Sequence, residues 1–245
     1  MAKHKDAKGL AGCYARSLGG CSGISLEHVV TKRIFGNSSS VVSYGMGTPD
    51  GKRIGINSAG AKILCGTHNS MLAVLDDEIV TLANATAQHW ECPKTASVAI
   101  NGRVIERWML KLIVGIAAAG VIDRRPMIAS DAAIRQLFGL EPLSERFALY
   151  GLSVPSLTRE WNRSVSFHAL KRPGQEVDMT LFLVNDLPLL AYVGDEDPQG
   201  ALRSAKSVAG IDVRNAGVIR RPRKMQLRHA DSPDAPLTIE FSYGS

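Results

Sequence analysis

Residues 65–76 read Cys-Gly-Thr-His-Asn-Ser-Met-Leu-Ala-Val-Leu-Asp. Cys65 and His68 have the tight spacing at which two ligands grip one ion from a knuckle at a helix start. The helix is expected to begin near Thr67, whose hydroxyl can cap it. From there Met71, Leu72, Leu75, Ile79 and Leu82 recur with the 3.6-residue period and share one face. The helix should end near Trp90, with Pro93 beyond it. This stretch therefore couples half of a metal site to an amphipathic helix.

The other half is expected upstream. Cys13 and Cys21 are separated by seven residues, and Gly19-Gly20 between them permit a wide turn. Together Cys13, Cys21, Cys65 and His68 supply the four N or S ligands of a structural zinc site. The bland alternative is a set of unrelated core thiols, and Cys92 is a candidate to replace one member. The four cysteines could instead make two disulfides. The opening Met-Ala-Lys-His-Lys-Asp-Ala-Lys has no apolar leader, however, which points to a reducing cytoplasm, where cysteines near histidines are read as metal ligands. The most apolar stretch, Leu110 to Ile122, contains Lys111, Gly115 and Gly120 and is too short to span a bilayer, so no membrane partner is expected.

Further out, 245 residues suffice for one large domain or two small ones, and 45% hydrophobic with 21% charged residues is ordinary for a globular protein. The formal charge of +6 favours polyanions only slightly. Residues 13–66 are rich in Gly and Ser, with short apolar runs at Val29-Val30, Val41-Val42, Ile54 to Ile56 and Ile63-Leu64, which read as loops and short strands. Asn37 to Ser40 and Gly45 to Gly51 read as turns or loops. Asn101-Gly102 reads as a turn. After it Val104, Ile105, Trp108, Met109, Leu112, Ile113 and Ile116 form the cleanest helical stripe, with Arg103, Glu106, Arg107 and Lys111 on the other face. A short helix is expected from Asp131 to Phe138, capped by Ser130 and stopped by Gly139. Val165 to Phe167, Met179 to Val184, Leu189 to Val193, Val218 to Arg228 and Leu237 to Tyr243 favour β structure, and Asn185-Asp186-Leu187-Pro188 reads as a hairpin turn. The expected fold class is α+β: a metal-bound N-terminal module over residues 1–95, then central helices and a C-terminal antiparallel sheet over residues 96–245.

Cys13…Cys21-x3-Ser25-Leu26-Glu27-His28-Val29, followed by Cys65-x-x-His68-Asn69-x6-Asp76, resembles the HNH endonuclease family (His-Me finger, ββα-metal) in its bacterial, zinc-containing group. The resemblance covers about residues 13–80. It implies a treble-clef-like module of two short strands and a helix around one catalytic metal, braced by a separate zinc. It implies that His28 is the general base on the attacking water. It also implies that Glu27 and Asn69 hold a catalytic Mg2+ or another divalent ion, and that Cys13, Cys21, Cys65 and His68 are the zinc ligands. The chain departs from the family pattern in five places. His68 stands where Cys is usual, Glu27 stands for Asp and Asn69 for His. Thr31 to Gly36 lacks the usual proline, and Asn57 alone is a candidate for the middle asparagine.

The function expected on this basis is hydrolysis of DNA phosphodiester bonds, with RNA as the other candidate substrate. Lys32 and Arg33, just past His28, fall where a phosphate backbone would run. Arg220-Arg221-Pro222-Arg223-Lys224, with Arg214 and Arg228, is either a second phosphate contact or a charged edge strand protected from aggregation. Trp90, Trp108 and Trp161 read as core, and His168 and His229 as structural. From a different class, the alternative is a non-catalytic zinc-binding protein that binds nucleic acid or acts as a scaffold in a defence or mobile-element system.

Overall fold

A computed structural model of the protein describes residues 12–37, 40–43, 52–120, 126, 129–153, 165–171, 177–185, 187–193, 199–200, 202, 207–208, 211–212, 216–229 and 231–244. In chain order the elements begin with β1 (Ile24–His28), β2 (Ser40–Ser43), β3 (Lys52–Gly55) and β4 (Gly60–Cys65), followed by α1 (Gly66–Met71) and α2 (Ala73–Glu91). Next come β5 (Ala96–Asn101), α3 (Gly102–Ala118), α4 (Asp131–Leu137) and β6 (Phe147–Ser153). The remaining strands are β7 (Val165–Lys171), β8 (Val177–Val184), β9 (Leu187–Val193), β10 (Ser207–Val208), β11 (Ile211–Asp212), β12 (Gly217–Arg220), β13 (Lys224–His229) and β14 (Ser232–Ser242). The class is α+β, as expected from the sequence. Trp161, Arg214, the loop Gly45 to Gly51 and the polar start of the chain lie outside the described residues.

Two compact units emerge: Met1–Asp77 with Arg107–Leu143, and Glu78–Glu106 with Ser144–Ser245. The unit boundaries fall inside α2 and α3, so the division is discontinuous in sequence and differs from a single boundary after residue 95.

In the first unit β1 runs antiparallel to β4, from Ile24 opposite Cys65 to His28 opposite Gly60, with a bulge between Ser25 and Glu27. Gly60 is required there, because a Cβ on it would lie 2.7 Å from the Leu26 side chain. β2 and β3 form a second antiparallel pair within the connection between β1 and β4. β4 passes directly into α1. The helix expected as one piece from Thr67 is two, separated by a turn at Leu72, and its N-cap is Cys65 rather than Thr67. Met71 accordingly leaves the apolar stripe: residues on either side of the turn share no single helical period, and Met71 is exposed while Leu72 and Leu75 are buried. Ile63, Leu64, Trp108, Leu112, Ile116, Ile134 and Leu137 complete this core. Ser130 caps α4 through a hydrogen bond from Ala133 N, as its position implied.

The polar face assigned to α3 needs correction. Glu106 and Lys111 are both buried. Each is tolerated because it meets opposite charge: Glu106 pairs with Arg103 and Arg221, and Lys111 with Glu27 and Asp76.

In the second unit, five antiparallel strands follow the order β12-β6-β9-β8-β7. Three more follow the order β13-β14-β5, with β5 parallel to β14 and Leu237 opposite Ala96. The C-terminal strands are therefore not one antiparallel sheet: they fall into two sheets, one of them mixed because β5 joins from before α3. β10 and β11 form a separate two-residue pair. The run Val218 to Arg228, expected as one strand, breaks at Arg221 (φ 47°) and Pro222, and its halves join different sheets. Asn185, at φ 48°, turns β8 into β9 so that Val184 pairs with Leu187. Leu187 and Pro188 thus belong to the strand rather than to the turn.

Candidate metal centre and the His28 hairpin

Cys65 leaves β4 in an extended conformation (φ −83°, ψ 161°), and its Sγ accepts a hydrogen bond from His68 N at 3.5 Å. One residue thus ends a strand, caps a helix and offers a thiolate. His68, three positions on, is carried into the interior by the first turn of α1, with its ring edge-on to Phe138 at 5.3 Å. Cys13 is set alongside β4 by the Tyr14 N–H, which donates to Ile63 O at 2.9 Å. A tight 3-10 turn at Arg16–Leu18 follows, and Gly19 (φ 75°) and Gly20 (φ 65°) take left-handed conformations open to glycine. That reversal returns the chain to place Cys21.

The result is a closed group. His68 Nδ1 lies 3.2 Å from Cys65 Sγ, 3.4 Å from Cys13 Sγ and 3.7 Å from Cys21 Sγ, and all four ligand atoms fall within 4.8 Å of one another. Zinc held tetrahedrally at its usual Zn–S and Zn–N lengths puts sulfur and nitrogen about 3.5 Å apart. The observed spacing matches that edge. These residues form a group that could bind a metal ion such as zinc, and among the described residues it is the one such group. All four cysteines are free thiols, and Cys92 is exposed and stands outside the group.

The two buried thiols shift in opposite directions. Burial pushes Cys13 up to about 12. At Cys65 burial also acts upward, but hydrogen bonds from the His68 and Ser22 backbone and from the Cys21 and Cys13 side chains outweigh it and lower the thiol. Burial lowers His68 and keeps its imidazole neutral, the form that binds metal.

His28 ends β1 and faces Gly60 across the ladder. Burial lowers its pKa, with Lys32 and Lys111 adding to the effect and a hydrogen bond to the Ile56 backbone opposing it. Its Nε2 is buried and has no hydrogen-bond partner among the described residues.

Glu27 is also buried, and its Oε1 lies 2.8 Å from Lys111 Nζ. That contact is an ion pair without hydrogen-bond alignment, whereas Lys111 donates to both Asp76 oxygens at 2.9 Å. Asp76 Oδ1 also accepts from Thr31 Oγ1 at 2.6 Å, and Thr31 Oγ1 accepts from Trp108 Nε1 at 2.9 Å. Burial raises Glu27, with Lys111 opposing. Asn69 Nδ2 donates to Ser25 Oγ at 3.3 Å. Glu27 and Asn69 therefore have separate partners. Lys32 donates to Asn57 Oδ1 at 2.9 Å, and Arg33 pairs with Asp77.

Sequence reading missed Lys111 as the partner of the Glu27 and Asp76 carboxylates, and the Trp108–Thr31–Asp76 chain of hydrogen bonds beside it. A lysine inside the most apolar stretch of the chain was the available signal, since buried lysines need a carboxylate partner.

In the second unit, the basic run after β12 is largely committed. Arg221 Nε reaches Glu106 Oε1 at 2.8 Å, and Arg220 donates to Glu145 O at 2.6 Å. Trp108 is core, and Trp90 donates its Nε1–H to Asn185 O at 2.8 Å. Among the described residues no helix is long and apolar enough to cross a membrane. No family model, curated protein or solved structure matches the chain.

Proposed function

We propose that the chain is an HNH-like endonuclease that hydrolyses DNA phosphodiester bonds, with a zinc ion on Cys13, Cys21, Cys65 and His68 bracing the module and His28 as its general base. One observation carries the reading. At the end of β1, on the hairpin whose other strand delivers Cys65, a neutral imidazole holds a buried Nε2 with no partner. An unsatisfied buried nitrogen needs an explanation, and a lone pair awaiting a water proton supplies one.

In this reading the zinc is structural and takes no part in the chemistry. His28 Nε2 removes a proton from water, and the oxygen attacks phosphorus. The bond to the 3′ oxygen breaks, and that oxygen leaves with the electron pair and takes up a proton. Asn57 holds Lys32 one turn beyond His28, a position from which its charge can meet a phosphate. The divalent ion implied at Glu27 and Asn69 enters none of these steps, because Glu27 is paired with Lys111.

The test compares wild type with His28→Ala on supercoiled plasmid and on single-stranded RNA, with zinc content and circular dichroism recorded for both proteins. Wild type should convert the plasmid to nicked circles. The variant should lose at least about a hundredfold of that rate with its zinc and fold unchanged. A wild type that binds nucleic acid yet cleaves neither substrate would overturn the reading in favour of a non-catalytic binding module.

A further inference from the structure

The resemblance assigns Glu27 to a divalent ion, but the chain supplies its own cation at that position. Lys111 Nζ lies 2.8 Å from Glu27 Oε1 and 2.9 Å from each oxygen of Asp76, and the residue is 2% exposed. An ammonium ringed by three carboxylate oxygens already has the anionic neighbours that a hard cation would seek. The arrangement is built rather than incidental. Lys111 and Trp108 lie three residues apart on α3 and project from the same face. Trp108 Nε1–H donates to Thr31 Oγ1, which donates to Asp76 Oδ1, so the helix that delivers the ammonium also fixes the carboxylate that receives it. Freeing Glu27 for a metal would require the buried Lys111 to give up its contact with a buried carboxylate, a costly step for a buried charge. The second implied ligand, Asn69, donates through Nδ2 to Ser25 Oγ.

We infer that Lys111 is the resident counter-cation of Glu27 and that the wild-type chain holds no divalent ion there. Lys111 is a positioning residue: it keeps Glu27 and Asp76 together beside the His28 hairpin, and it excludes Mg2+ and Mn2+ by occupying Glu27 and by charge repulsion. The inference rests on the geometry of the ion pair and not on the nuclease reading, and its test uses no nucleic acid, so failure of one is separable from failure of the other.

Zinc-loaded protein is titrated with Mn2+ to about 1 mM, a concentration at which even weak dedicated sites fill, and bound ion is read from the loss of the free Mn2+ paramagnetic resonance signal. Mn2+ does not displace zinc from a thiolate-rich site. Wild type should bind no more Mn2+ than Glu27→Gln does. Lys111→Gln, which removes the charge but keeps a hydrogen-bonding side chain, should gain at least about tenfold in Mn2+ affinity, and Glu27→Gln added to it should abolish the gain. A Mn2+ ion bound by wild type and lost in Glu27→Gln overturns the inference, and so does a folded Lys111→Gln with no gain. Should Lys111→Gln fail to fold, the comparison of wild type with Glu27→Gln decides alone.

Discussion

Cys65 shows how much one residue can carry. Its backbone ends β4, its Sγ caps α1 by accepting from His68 N, and the same sulfur lies 3.2 Å from His68 Nδ1. Cys65→Ser separates these roles, because serine is a good N-cap but a poor soft ligand. The variant should keep the cap, lose stoichiometric zinc and melt at a markedly lower temperature, since structural zinc contributes on the order of 10 kcal/mol to the folding of small modules. Cys92→Ser should retain the metal, because Cys92 is exposed and outside the group. Elemental analysis with a thermal melt checks both, and full zinc retention in Cys65→Ser would remove that thiol from the site. The four clustered ligands were legible in the sequence because Cys-x-x-His spacing acts within a single helical turn. The partner of Glu27 was not, because Lys111 reaches it through tertiary packing that no local spacing encodes.

At the scale of elements, amphipathic periodicity revealed what it governs directly. The stripe of α3 buries Ile105, Trp108, Met109, Leu112 and Ile116, and α2 buries Ile79 and Leu82. β6 escaped because six of its seven residues are buried and its sequence therefore shows no alternation. β5 receives no strand reading, and Asn101-Gly102 reads as a turn. Its last residue, Asn101, in fact caps α3 by accepting from Arg103 N and Val104 N at 3.1 and 3.2 Å. The strand break at Arg221 depends on a left-handed backbone that arginine rarely adopts, which its sequence does not announce. α2 also yields a pH prediction. Burial lowers His89, with nearby His229 adding to the effect and the Lys94 backbone opposing it. In the unfolded chain His89 takes up its proton near the ordinary imidazole value of about 6.5, while the folded form resists. The stability it contributes is therefore present above that value and is lost as pH falls through the lowered folded value. His89→Leu should lose less stability than wild type between pH of about 7.5 and about 5.5, measured by urea midpoints of zinc-loaded protein. Equal losses would show that His89 does not titrate with folding.

At the scale of the whole molecule, a Cys/His group that could bind zinc, an imidazole with an unpartnered nitrogen and a lysine paired with two carboxylates all lie within the unit formed by Met1–Asp77 and Arg107–Leu143. The sequence revealed the α+β class and the ligands at the start of this unit. It did not reveal that Arg107–Leu143 belongs with them, because long-range contacts and not composition join the two segments. The proposed brace of the hairpin rests on the metal cluster, so the most direct measurement is X-ray absorption at the zinc edge of purified protein. The account predicts one zinc per chain with three sulfur neighbours at about 2.3 Å and one nitrogen at about 2.0 Å. A protein that folds without zinc, or a metal surrounded only by oxygen and nitrogen, would contradict it.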